Sequence, residues 1–83
     1  MIKVLFFARL REQVGESSLQ LSAAEAPATV GELLTQLRQR GQGWDAALAD
    51  DKLLCAVNQQ QVDAGQSIAD GDEVAFFPPV TGG

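Results

Sequence analysis

Eighty-three residues, 46% of them apolar, supply one domain with a single modest core and too little chain for a deep enzymatic cleft of its own. Six Lys and Arg against eleven Asp and Glu leave a net charge of -5, which argues against nucleic-acid binding because phosphate neutralisation needs a basic face. One cysteine allows no internal disulfide, and the apolar run near the start is too short for a membrane span or an ordinary signal peptide, so a cytoplasmic protein with no membrane partner is expected.

IKVLFFA, residues 2–8, is rich in β-branched and aromatic side chains and predicts a strand. Its two faces separate cleanly, with Ile2, Val4 and Phe6 on one side and Lys3, Leu5 and Phe7 on the other. ARLREQVG then predicts a short helical turn closed by Gly15, and residues 18–22 alternate Leu19 and Leu21 with polar side chains, as a half-buried strand does. AAEAPAT, residues 23–29, reads as a loop.

The clearest helix spans residues 29–40. Thr29 and Glu32 have the spacing of a capping box, in which each side chain satisfies a backbone donor orphaned at the helix start. Val30, Leu33, Leu34 and Leu37 form one apolar stripe, Arg38 and Arg40 complement the negative end of the helix dipole, and Gly41 is expected to end the helix. GWDAALADD, residues 43–51, predicts a further turn that packs Trp44 and Leu48 over one end of the core. Residues 52–57 predict a strand, residues 66–68 a short one, and Asp70-Gly71 a turn into a last strand at residues 73–77. The expected fold is α+β: a mixed sheet with one main helix on one face, its strongly apolar first and last strands side by side, central and parallel.

Catalytic chemistry is thin. The chain has no His and no Tyr, which closes most routes to general-base or nucleophilic catalysis. Cys55 lies mid-strand between Leu54 and Ala56 with no basic sequence neighbour to stabilise a thiolate, so a buried structural thiol is expected. The carboxylate pairs Asp50-Asp51 and Asp72-Glu73 lack His or Cys support and read as turn residues, so no metal site is expected. GQG at residues 41–43 is expected to follow a helix instead of preceding one, and so to lack the strand-loop-helix context of a phosphate cradle. Every Lys and Arg lies at or before Lys52, and Asp63, Asp70, Asp72 and Glu73 follow it, which is either a solvated acidic face or a surface suited to a basic partner.

The final residues are the unusual feature. Pro78 and Pro79 have no N–H to continue a sheet and favour an extended path; Val80 and Thr81 prolong it, and Gly82 and Gly83 finish it without a Cβ. Such an end is either a frayed terminus or a stiff spacer that carries a slim carboxylate into another protein's active site. A carboxylate acylates poorly until one oxygen becomes a leaving group, as in an acyl-adenylate, and two glycines leave its carbonyl open to attack.

IKVLFFA at residues 2–8, LLCAVNQ at 53–59 and DGDEVAFFPPVTGG at 70–83 together resemble the β-grasp, ubiquitin-like sulfur carriers across essentially the whole chain. GDEV with a GG end is shared with thiamine-pathway carriers, whereas FFPPVTGG is much more specific and most resembles the small-subunit family of molybdopterin synthase, the MoaD family. The resemblance implies a β-grasp domain at residues 1–77 and a flexible tail at residues 78–83. It implies that Gly83 is adenylated by an E1-like adenylyltransferase using ATP, receives sulfur from a sulfurtransferase or cysteine desulfurase, and becomes a thiocarboxylate. The tail, Pro78 to Gly82, would then carry it into the large catalytic subunit of a heterotetrameric synthase, to give sulfur to cyclic pyranopterin monophosphate in molybdenum cofactor biosynthesis. On this view the chain binds no cofactor and is no enzyme alone, and an anionic sulfur nucleophile explains the absent His.

Docking is expected on the sheet face away from the helix, through Leu5, Phe7 and Phe77; the opposite parity would make Phe7 and Phe77 core. A further apolar contact is usual in the family where this chain has Gln60-Gln61 before Val62. A thiamine-pathway carrier, a ubiquitin-like protein modifier and a purely structural interaction domain are the alternatives.

Overall fold

Residues 1–22, 24–49 and 52–79 are described by a computed structural model. The apolar alternation at the start forms strand β1 (Ile2–Phe6), and the last apolar run forms β5 (Glu73–Phe77). These two lie parallel, with Val4 opposite Val74 and Phe6 opposite Phe76, as expected from two strongly apolar strands joined by a long crossover. β2 (Ser18–Leu21) and β3 (Leu54–Val57) flank them antiparallel, and β4 (Gln60–Val62) adds the far edge, giving the order β2-β1-β5-β3-β4.

Three helices accompany the sheet among the described residues: α1 (Arg9–Val14), α2 (Val30–Arg38) and α3 (Gln42–Leu48). Gly15 closes α1 as its sequence implies, with a φ of 81° that only glycine adopts cheaply and its N–H donated to the Arg11 carbonyl. The capping box on α2 is formed in both directions: the Glu32 N–H donates to Thr29 Oγ1 at 3.2 Å, and the Thr29 N–H to Glu32 Oε2 at 3.2 Å. Val30, Leu33 and Leu37 are buried in one cluster with Ile2, Val4, Phe6, Val74 and Phe76. Inside it Phe6 stacks on Phe76 with centroids 6.2 Å apart, and Trp44 meets Phe6 edge-on at 5.4 Å.

Four expectations need correction. Helix α2 stops at Arg38, not at Gly41. The N–H groups of Gln39 and Arg40 donate three residues back, to Gln36 and Leu37, tightening the last turn, and Gly41 becomes the N-cap of the next helix with an extended φ of 163°. The GQG stretch therefore opens a helix as well as following one, although a loop and no strand precedes it. The turn expected around Trp44 is this seven-residue helix, which buries Leu48 and half-buries Trp44. Residues 66–68 form no strand but one isolated bridge, Thr29 to Ser67, and the short strand is Gln60–Val62 instead. A two-residue hairpin produces it: Asn58 and Gln59 have φ of 52° and 70°, the left-handed pair that such a turn requires.

The exit from β1 is strained. Ala8 has φ 56° and ψ -135°, the conformation of the first central residue in a type II′ turn and one that glycine normally fills. An L-residue held there costs on the order of 1–3 kcal/mol. The Leu10 N–H closes the turn on the Phe7 carbonyl at 3.2 Å, and the Arg11 N–H on the Ala8 carbonyl at 3.2 Å.

Entry into β5 is tied down by the Asp70-Gly71 turn, with Gly71 at φ 92° and its N–H on the Met1 carbonyl. The Met1 amino group pairs with Asp70. Asp72 accepts from the Ala69 N–H at 2.8 Å and from Asn58 Nδ2 at 2.9 Å. These two donors, the backbone one first, hold its carboxyl below the usual carboxylate range.

Candidate functional site

The pleat decides what the open sheet face carries. Ile2, Val4, Phe6, Val74 and Phe76 are buried toward the helices, so Leu5, Ala75 and Phe77 point the other way. Phe7 continues that face beyond β1, because its N–H still donates to the Phe76 carbonyl at 3.2 Å. The parity expected for Leu5, Phe7 and Phe77 is thus the one observed. Leu5 and Phe77 are half-buried, and Phe7 is 47% exposed, the most exposed large apolar side chain after Met1 among the described residues.

One cross-strand row explains the shape of this surface. Leu5 pairs with Ala75, Ala75 with Ala56, and Ala56 with Gln61, so two alanines lie in mid-sheet between larger neighbours. Ala56 and Ala75 floor a shallow depression of about 390 Å³, with Leu5, Phe7 and Phe77 along its apolar wall. Gln59, Gln61 and Glu73 form its polar end. Sequence inspection missed Ala56 and Ala75, and marked Gln60-Gln61 only as the place of a contact usual in the family. The two alanines follow from strand parity, but Gln61 is visible only once β4 is recognised, and there it joins the face while Gln60 takes the opposite parity.

The start of the tail is anchored. β5 ends at Phe77, where two prolines withdraw backbone donors from the ladder. Pro78 is half-buried and lines a small cavity of about 140 Å³ with Leu10 of α1, Ala47 of α3 and Leu53. Val80, Thr81, Gly82 and Gly83 lie outside the described residues, as do Asp50 and Asp51.

Among the described residues, the one titratable side chain lining this depression is Glu73. Cys55 points to the helix side, where its thiol donates to the Val62 carbonyl at 3.2 Å. Cys55 is half-buried, less than the full burial expected, because only the short edge strand β4 lies beyond it; partial burial, with Asp63 adding to it, still pushes that thiol up. No group of three His, Cys, Asp or Glu that could hold a metal ion occurs among the described residues, and no described helix is long and apolar enough to cross a membrane.

Known proteins share this architecture. The sequence matches the ThiS family over residues 4–83. It is 53% identical over 83 residues to the molybdopterin synthase sulfur carrier subunit of Escherichia coli, covering all of both chains. It is 45% identical to the subunit of the same name from Haemophilus influenzae, again over all of both chains. Among solved structures, the fold matches a chain in the protein-protein complex of subunits 1 and 2 of molybdopterin-converting factor from Helicobacter pylori. There the TM-score is 0.69 and the identity 25%, over 99% of this chain and 97% of that one.

Proposed function

The chain belongs to the ThiS family, a group of ubiquitin-like β-grasp proteins, and we propose that it serves there as the sulfur carrier subunit of molybdopterin synthase. The observation that carries this is the end-to-end identity with the Escherichia coli carrier, which spans both the folded domain and the Gly-Gly end.

The chemistry assigned to each part follows from what that part can do. Residues 1–77 form the docking domain and residues 78–83 the tail. A partner adenylyltransferase sets the Gly83 carboxylate against the α-phosphate of ATP; the carboxylate oxygen forms the new P–O bond and pyrophosphate leaves. The terminal sulfur of a persulfide on a sulfurtransferase or cysteine desulfurase then adds to that carbonyl and AMP leaves, giving an acyl disulfide; a thiol reductant cleaves its S–S bond, releasing the thiocarboxylate and leaving a disulfide on the donor. Inside the large subunit this sulfur attacks a side-chain carbon of cyclic pyranopterin monophosphate and displaces an oxygen substituent from it, and water cleaves the resulting acyl–sulfur bond, leaving sulfur on the pterin and a carboxylate on Gly83. Gly82 and Gly83 bring no side chain to the reacting carbonyl, and Pro78 and Pro79, which lack an N–H, favour an extended path out of the sheet. The acceptor's activation and the stabilisation of charge come from the partner, as a subunit without His requires.

The open face docks the large subunit. Leu5, Phe7 and Phe77 are apolar, accessible and contiguous with the root of the tail, and an aromatic patch in that position is covered in the functional complex.

Synthase reconstituted from the large subunit and activated carrier tests the assignment. Deleting Gly83 should abolish sulfur transfer and leave the urea midpoint of the carrier unchanged. Full transfer by the deletion variant would refute it. Loss of thiamine synthesis in place of molybdoenzyme activity in cells carrying the deletion would point to the thiamine pathway, and recovery of the chain in isopeptide linkage to other proteins would indicate a modifier.

A further inference from the structure

The strained turn at Ala8 has a consequence for docking. Hairpin geometry accounts for the left-handed residues Asn58 and Gln59, but Ala8 is in no hairpin: it joins Phe7, which follows β1, to α1. Its neighbour on one side is Phe7, the exposed aromatic of the open face, and on the other side Leu10 is 2% exposed and fixed in the core. A glycine would relieve the strain and would also let the peptide on either side swing. An alanine retains the strain and narrows the choice of backbone states. The turn is held by the Leu10 N–H on the Phe7 carbonyl, while the Phe7 N–H is held by β5. Phe7 is therefore fixed on both sides of its own Cα.

We propose that Ala8 is a positioning residue: its constrained backbone presents the Phe7 ring in the orientation that the large subunit binds, so that little side-chain and loop ordering remains to be done on association. This rests on the reading of the open face as the docking surface. Ala8 acts through Phe7 and need not touch the partner or the reacting carbonyl.

Chirality separates rigidity from strain. For a D-residue, φ 56° and ψ -135° is the mirror image of the relaxed extended region, so D-alanine occupies the observed conformation without strain and still restricts it. Cys55 offers a native ligation site, which allows residues 1–54 to be made with either enantiomer and joined to residues 55–83. Affinity for the large subunit and thermal midpoint are measured for the L-Ala8 protein, Ala8→Gly, the D-Ala8 protein and Phe7→Ala. Ala8→Gly should weaken binding about three- to tenfold, the effect of one loosened side chain, without lowering the thermal midpoint. The D-Ala8 protein should bind as tightly as the L-Ala8 protein and melt above it. A purely structural role for Ala8 would move stability and leave affinity alone. Weakened binding by Phe7→Ala with unchanged binding by Ala8→Gly overturns the positioning role only, as does a D-Ala8 protein that binds as weakly as the glycine variant. Unchanged binding by Phe7→Ala overturns the docking surface itself, and the role of Ala8 with it.

Discussion

Phe76 and Phe77 are adjacent in β5, and the pleat puts them on opposite faces of the sheet. Phe76 is 1% exposed and stacks on Phe6 in the core, whereas Phe77 is half-buried on the open face opposite Leu54. Truncating a fully buried phenylalanine to alanine costs about 3–5 kcal/mol, transfer and cavity together. A chain of this length has a total stability on the order of 4–12 kcal/mol, so Phe76→Ala should consume a large share of it. Phe77 has roughly half as much surface to lose and leaves no closed cavity, so Phe77→Ala should cost about 1 kcal/mol, a fall in Tm of roughly 4–8 °C. Urea titration followed by far-UV circular dichroism and by Trp44 fluorescence measures both, since the indole packs against Phe6. Calorimetric titration with the large subunit should reverse the ranking: Phe77→Ala remains folded but binds about tenfold to a hundredfold more weakly. Equal destabilisation by the two variants, or unchanged binding by Phe77→Ala, would refute the division of β5 into a core face and a docking face.

Gln59→Gly should raise stability by about 0.5–1 kcal/mol, because φ 70° is strained for glutamine and free for glycine; a lower urea midpoint would contradict the hairpin geometry. Thr29→Ala removes the hydroxyl that accepts the Glu32 N–H and should cost about 1 kcal/mol in the same assay, and no change would mean that the cap is not formed in solution. The Asp72 carboxyl is held below its ordinary 3.8 by the Ala69 N–H and the Asn58 amide, so the folded state favours its ionised form. Its contribution is therefore present above pH 3.8 and is lost as pH falls further, through the folded-state value. The difference in urea midpoint between the natural protein and Asp72→Ala should be constant near neutral pH and shrink on acidification, and a difference that grows would reverse the assignment.

Much of this architecture is legible in the sequence because its strongest signals are local. The alternation of residues 2–7, the Thr29 and Glu32 capping box and the Asp70-Gly71 turn each specify their own geometry, and the apolar parity of β1 and β5 then orients the whole open face. What escapes is set by weaker or longer-range forces. β4 reads as Gln-Gln-Val, with neither alternation nor β-branching to mark it except at Val62, and its hairpin uses Asn58-Gln59 where Asn-Gly would have been recognised. Gly41 looks like a helix stop because glycine so often is one, but packing of Trp44 and Leu48 starts a new helix there. Ala8 gives no sign at all. Alanine is ordinary in strands and helices, and its left-handed conformation arises only from the closure of β1 against β5 on one side and the burial of Leu10 on the other.

The intact mass of the protein isolated from sulfur-replete cells, with fragmentation to locate any change, bears most directly on the carrier function. A carrier should show a population heavier by the replacement of one oxygen with one sulfur, localised to Gly83, that disappears when the adenylyltransferase is removed. A Gly83 carboxylate that stays unmodified in the presence of ATP, the adenylyltransferase and a competent sulfur donor would contradict that function.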